Sequence, residues 1–184
     1  MRCYVLAGGR SRRFGTDKLF YRLGNETVLE RVVKVARQVF PEVILVAKEE
    51  EKFKPLGLPV LLDGLPVQAS LVGLYAALRH AEGPAFVLSG DLPLIKKELL
   101  ELLLKRADEP ATVAETDRLH PLVGVYYPSA LPEVERAVKE GDYRLTELLR
   151  RLGAKRVRVP KELSRSLLNL NRPEDLKLIN GGGP

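Results

Sequence analysis

Two glycines, Gly8 and Gly9, close the apolar run Tyr4 to Ala7, and Arg10, Arg12, Arg13 and Lys18 follow them at once. Glycine lets the backbone turn through positive φ and bring its N–H groups close to a ligand. Guanidinium and ammonium groups around such a turn suit a dense anion, and a triphosphate fits that description. The spacing is neither G-x-x-x-x-G-K-[ST] nor G-x-G-x-x-G. A surface turn with solvated arginines is the competing reading. A second candidate is Asp91 in Leu88-Ser89-Gly90-Asp91-Leu92-Pro93-Leu94. A carboxylate on a glycine turn behind a buried strand can hold Mg²⁺, which takes hard oxygen ligands and brings phosphates with it. The alternative is an Asx turn that starts the next helix, with Pro93 in its first turn. Asp63, in Asp63-Gly64, is open in the same way between a ligand and a turn residue.

The elements that must position these groups alternate along the chain as in βαβ units around a mainly parallel sheet. Strands are expected at Tyr4–Ala7, Val43–Ala47, Pro59–Leu62 and Ala85–Leu88. They are expected again at Ala111–Ala114, Leu122–Tyr126, Val157–Val159 and Leu167–Leu168. The box Thr27-Val28-Leu29-Glu30 opens a helix with Val28, Val32, Ala36, Val39 and Phe40 on its apolar side, and Pro41 ends it. Further helices are expected over Ser70–Ala81, Lys97–Arg106, Leu131–Lys139, Leu145–Leu152 and Pro173–Ile179. Glu115 to His120 reads as a polar loop. In open parallel sheets, ligands bind beyond the carboxyl ends of the strands, where Gly8, Asp63 and Asp91 all fall.

The bulk properties set the class. A chain of 184 residues with 45% hydrophobic content suits one domain with a sizeable core. A single cysteine, Cys3, excludes an intramolecular disulfide and reads as a small core residue, and two histidines make a dedicated zinc site a poor fit. The net charge of +6 is dispersed among alternating Lys, Arg and Glu, with no tryptophan, so a nucleic-acid partner is not expected. No apolar run approaches a membrane span and no secretory leader is visible, so a cytoplasmic location is expected.

The pattern L-A-G-G-x-S-x-R-x-G-x-D-K from Leu6 to Lys18 resembles the signature of the nucleotidyltransferases that activate sugars. It is most similar to that of the molybdenum cofactor guanylyltransferases (molybdopterin-guanine dinucleotide biosynthesis protein A). Leu88 to Pro93 resembles the family's metal-binding strand end, and His120-Pro121-Leu122-Val123-Gly124-Val125-Tyr126 its H-P segment. Gly141-Asp142-Tyr143-Arg144-Leu145 resembles a stretch before a late helix, and Leu168-Asn169-Leu170-Asn171-Arg172-Pro173-Glu174-Asp175-Leu176 the closing N-x-N-x-P-E-[ED]-L element. Asn171 with Glu174 also makes a capping box for the last helix.

The resemblance implies a Rossmann-like three-layer α/β/α sandwich of the nucleotide-diphospho-sugar transferase type. One domain over 1–180 would bind nucleotide in its N-terminal half and acceptor in its C-terminal half, with 181–184 as a tail. It implies transfer of GMP from GTP to the terminal phosphate of molybdopterin or the molybdenum cofactor, assisted by Mg²⁺ on Asp91. GTP would be held by Leu6, Ala7, Gly8, Gly9, Arg12, Arg13, Lys18, Asp63 and Asp91. Of these, Arg13, Lys18 and Asp91 would be catalytic. His120, Asn169 and Asn171 would face the acceptor, and molybdenum-insertion proteins and recipient molybdoenzymes are the implied protein partners. Two departures fall where the base would be read: the family's G-P-L-A-G element is Ala69-Ser70-Leu71-Val72-Gly73, and the strand Val43–Ala47 runs into Lys48. CMP transfer to the same cofactor, transfer to a phosphorylated sugar, polyol or cobinamide, and non-catalytic nucleotide binding stay open.

Overall fold

The fold is organised by a sheet whose central strands are apolar on both faces. The computed structural model of the protein describes residues 1–8 and 18–169. Strands β1 (Arg2–Leu6), β4 (Glu42–Ala47), β5 (Val60–Leu62), β6 (Ala85–Ser89), β7 (Ala111–Glu115), β8 (Leu119–Tyr126) and β9 (Lys155–Arg158) form one sheet in the order β5-β4-β1-β6-β8-β7-β9. β8 runs antiparallel to both its neighbours, and the other pairings are parallel. A separate hairpin of β2 (Arg22–Leu23) and β3 (Glu26–Thr27) turns at Gly24, whose φ of 71° suits glycine.

Alternation along β1 divides the core. Cys3 and Val5 pack with α1 (Val28–Val39) and α3 (Lys97–Lys105) on one face. Tyr4 and Leu6 pack with α2 (Ser70–His80), α4 (Leu131–Glu140) and α5 (Leu145–Leu152) on the other. This is the three-layer α/β/α arrangement the sequence implies. The box at Thr27 is formed: its hydroxyl accepts from the Glu30 N–H, and the Glu30 carboxylate accepts from the Thr27 N–H. The buried face of α1 carries Leu29 and Val33 besides Val28, Val32 and Ala36, while Val39 is half-buried.

Two local expectations are corrected. The loop expected at Glu115–His120 shrinks to the turn 116–118, because β8 begins at Leu119. A register shift between Val113 and Ala114 lets Pro121, which has no N–H to give to a ladder, lie inside that strand. Leu167 ends a 3₁₀ helix over Lys161–Leu167, not a strand; the Ser164 and Ser166 hydroxyls donate back to the carbonyls of Lys161 and Leu163. The charged segment after β4 winds into a 3₁₀ helix, Glu51–Leu56, because Phe53 is drawn into the core. The helix expected over Pro173–Ile179 lies outside the described residues. Among the described residues no helix is long and apolar enough to cross a membrane.

Packing between β7 and β8 depends on Gly124, where a Cβ would lie 2.1 Å from the Thr112 carbonyl oxygen. That oxygen is backbone in the sheet and has nowhere to move. Gly124→Ala is therefore expected to lower unfolding free energy by about 3 kcal/mol, the upper part of the usual overpacking range. Urea unfolding of variant and wild type measures it, and equal midpoints would contradict the close approach.

Candidate functional site

Parallel strands deliver their carboxyl ends to one edge, and this edge gathers the polar residues. Beyond β1 comes Gly8, beyond β4 Lys48, beyond β5 Asp63, and beyond β6 Asp91. Because β8 is antiparallel, its first residues lie at the same edge, as does the turn that follows β7. A cleft of about 680 Å³ opens there, lined by Lys18, Lys48, Asp63, Ser89, Asp91 and Asn169 among others.

Asp91 is the most connected of them. Its Oδ1 accepts from the Ser89 hydroxyl at 2.5 Å and from Asn169 Nδ2 at 2.9 Å. Its Oδ2 accepts from Lys18 Nζ at 3.0 Å. Ser89 and Asp91 are alternate residues at a strand end, so their side chains share one face. Gly90 lets the turn sit tightly on β1: its N–H donates to the Leu6 carbonyl at 3.0 Å. A Cβ there would stand 3.0 Å from that oxygen and 3.2 Å from Leu29 Cδ1. Among the described residues the Asp91 carboxylate accepts from side chains and from no backbone N–H, so it does not form the Asx turn weighed above. The side chain is 13% exposed, enough to meet a ligand in the cleft.

Asp63 is a turn residue and also the partner of a lysine. Its Oδ1 accepts from the Leu65 N–H at 3.2 Å across Gly64 (φ 75°), an Asx-type turn. Both of its oxygens also accept from Lys48 Nζ at 3.0 Å, and Lys48 donates to the Leu65 carbonyl at 2.8 Å. Leu6 and Gly8 line the cleft, and Gly8 has open space where a Cβ would stand. Ala7 is buried, its N–H tied to the Val46 carbonyl at 2.8 Å, and touches a smaller adjoining pocket. A Cβ at Gly73 of α2 would stand 3.3 Å from the Leu6 side chain, so the glycine lets α2 lie close on the sheet beneath the cleft. α2 itself starts at the cleft, with Ala69 as N-cap and no side-chain cap.

Asn169 lines the cleft, and its Oδ1 accepts from Arg118 Nη2 at 3.1 Å. His120 is different. It lies within β8, 7% exposed, does not line the cleft, and pairs through Nε2 with Thr116 Oγ1 at 2.7 Å. Its position is behind the 116–118 turn, where it braces that turn. Gly9, Arg12, Arg13 and Asn171, with Arg10, lie outside the described residues. Ser89, Lys48 and Arg118 escape a reading by sequence alone. Ser89 had a signal, a short hydroxyl two positions before a strand-end aspartate. Lys48 and Arg118 had none without the topology that brings their partners to them.

Comparisons with known proteins agree with this fold. Residues 3–157 match the MobA-like NTP transferase domain. A protein of Aquifex aeolicus named "Probable molybdenum cofactor guanylyltransferase" is 52% identical over 96% of this chain and 89% of its own length. The crystal structure of molybdopterin-guanine dinucleotide biosynthesis protein A from Archaeoglobus fulgidus is 31% identical, with a TM-score of 0.83 over 97% of this chain and 96% of that one. At 13% identity and TM-score 0.74, the 4-diphosphocytidyl-2C-methyl-D-erythritol synthase of Anaerococcus prevotii shares the fold, over 98% of this chain and 94% of its own.

Burial holds the His120 imidazole below its ordinary value of 6.5; the nearby Arg118 adds to this and Asp117 opposes it. Because the folded value is the lower one, the unfolded chain takes up its proton first as pH falls. The His120 contribution to stability is thus whole above pH 6.5 and declines below it, down to the folded value. Urea midpoints across this range should fall more steeply for wild type than for His120→Asn; parallel slopes would contradict the buried neutral ring.

Proposed function

We propose that this chain, which belongs to the MobA-like NTP transferase family and is a nucleotidyltransferase, transfers GMP from GTP to the terminal phosphate of molybdopterin or the molybdenum cofactor. The reading rests on one observation above the others. Asp91 stands at the carboxyl edge of the sheet, tied across the cleft to Lys18 and Asn169. The acceptor and the guanine donor follow the names carried by the relatives.

The chemistry needs no covalent intermediate on the protein. An acceptor phosphate oxygen attacks the α-phosphorus, the bond from that phosphorus to the α,β-bridging oxygen breaks, and pyrophosphate leaves with the electron pair. A phosphate monoester is already anionic at neutral pH, so no general base is required. Positioning and charge stabilisation carry the acceleration. An ammonium donates three hydrogen bonds, so Lys18 can hold Asp91 and a triphosphate oxygen together. The backbone at Gly8 and Gly9, with Arg12 and Arg13, would neutralise the leaving pyrophosphate, which makes Arg13, Lys18 and Asp91 the catalytic set. Asp63 would meet the nucleoside end, and Asn169 and Asn171 the acceptor side, while the buried His120 touches neither substrate. In this reading the N-terminal half of a single domain holds nucleotide and the C-terminal half holds acceptor.

The donor set suits Mg²⁺. Among the described residues no group of three His, Cys, Asp or Glu side chains could cage a metal. Mg²⁺ commonly uses one or two carboxylates and completes its shell with water and phosphate oxygens. Asp91 Oδ2, with one described donor, has a lone pair left to offer such an ion. Bound there, Mg²⁺ would polarise phosphate oxygens and offset developing negative charge.

Two measurements test the reading. Purified protein with Mg²⁺, molybdopterin and GTP, CTP or ATP in turn should give a GMP adduct by mass with GTP alone. A CMP adduct would overturn the base assignment, and no adduct would overturn the acceptor. Lys18→Ala should weaken GTP binding by ~10-fold or more, the scale of one charge-assisted hydrogen bond. Unchanged affinity in calorimetry would remove Lys18 from the triphosphate site.

A further inference from the structure

The edge that carries Asp91 also carries two arginines with no carboxylate partner among the described residues. Arg118 sits on the turn between β7 and β8, and Arg158 ends β9 beside β7. Their neighbours Lys155 and Arg156 are paired with Asp108 and Glu115. Among the described residues Arg118 and Arg158 form no ion pair. Arg158 donates to the Thr116 carbonyl, and Arg118 donates to the neutral amide of Asn169. Asp117, the one carboxylate on the turn, accepts from the Thr116 hydroxyl at 3.0 Å.

The turn is braced rather than loose. Thr116 N–H donates to the Arg118 carbonyl at 2.9 Å, Thr116 Oγ1 meets His120 at 2.7 Å, and Arg158 holds the Thr116 carbonyl. Arg118 therefore projects an exposed guanidinium from a fixed base. One amide separates it from the Asp91 carboxylate, since Asn169 takes 3.1 Å from Arg118 and gives 2.9 Å to Asp91. That places the guanidinium at most about 8 Å from Asp91 Oδ1. A tetrahedral phosphate held by the guanidinium fits within that distance.

We propose that Arg118 receives the terminal phosphate of the acceptor, a phosphate monoester. Asn169 is the neutral spacer that keeps the guanidinium from collapsing onto Asp91, and Arg158 and His120 position the turn. The inference rests on the transferase reading above and assigns it an acceptor anchor. In-line displacement brings two anions together, and cations on the β1 side alone would serve only the donor. A planar guanidinium on the β8 side can grip the incoming phosphate through two parallel hydrogen bonds and leave its third oxygen to attack.

Steady-state kinetics with Mg²⁺, GTP and molybdopterin separate the two substrates. Arg118→Ala should raise KM for molybdopterin by ~10- to 100-fold, the scale of a charged hydrogen-bond pair, and leave GTP affinity in calorimetry unchanged. Arg118→Lys should recover part of the loss, since it restores charge without the fork. An unchanged molybdopterin KM, or an equal loss in GTP affinity, would overturn the assignment. Phenyl phosphate, followed by its ³¹P shift with Mg²⁺ and a non-hydrolysable GTP analogue, keeps this apart from the choice of acceptor. Binding that depends on Arg118, with no adduct on molybdopterin, would sustain the anchor and sink the acceptor. No binding of phenyl phosphate to the wild type would sink the anchor itself.

Discussion

A carboxylate taken largely out of water must be met by donors, and Asp91 is met from three parts of the chain. Lys18 comes from the short 3₁₀ helix Lys18–Phe20, Ser89 from its own strand, and Asn169 from beyond the 3₁₀ helix that follows β9. Hydrogen bonds to a charged group are worth ~1.5–3 kcal/mol each, so losing one partner is felt at the others. Whatever holds residues 18 and 169 in place therefore also sets the direction in which Asp91 presents its free lone pair.

The sheet makes this convergence unavoidable. Four parallel strands, β5, β4, β1 and β6, end at one edge, and each is followed within two residues by a polar or glycine position that faces the cleft. Insertion of β8 in the opposite sense turns the second half of the chain back to that edge, with Gly124 allowing β8 to lie close on β7. The first half thus supplies Lys18, Lys48, Asp63 and Asp91, and the second supplies Arg118 and Asn169. Two walls of different origin face each other, which suits a reaction that joins two anionic substrates.

Much of this was legible in the residues because it is local. The apolar runs that became β1, β4 and β6 are buried on both faces, and the Thr27 box depends on residues three apart. The aspartate strand end carries its own glycine. What stayed hidden depends on partners distant in sequence. Lys48 acquires meaning from Asp63 on the next strand, and Arg118 from Asn169, fifty-one positions on. His120 looked like a loop residue because Pro121 follows it, yet a register shift admits that proline to the strand and buries the imidazole. Gly124 carries no local signal of its own, since the clash that requires it lies on the neighbouring strand.

The claim on which the rest depends is that Asp91 offers its carboxylate to a divalent cation shared with the nucleotide. Mn²⁺ binding in the presence of GTP, read by electron paramagnetic resonance for wild type and Asp91→Asn, tests it most directly. Loss of a ligand carboxylate should weaken binding by at least ~10-fold, given that outer-shell changes alone cost 10–100-fold. Equal Mn²⁺ affinity in the two proteins would contradict the account and place the cation elsewhere.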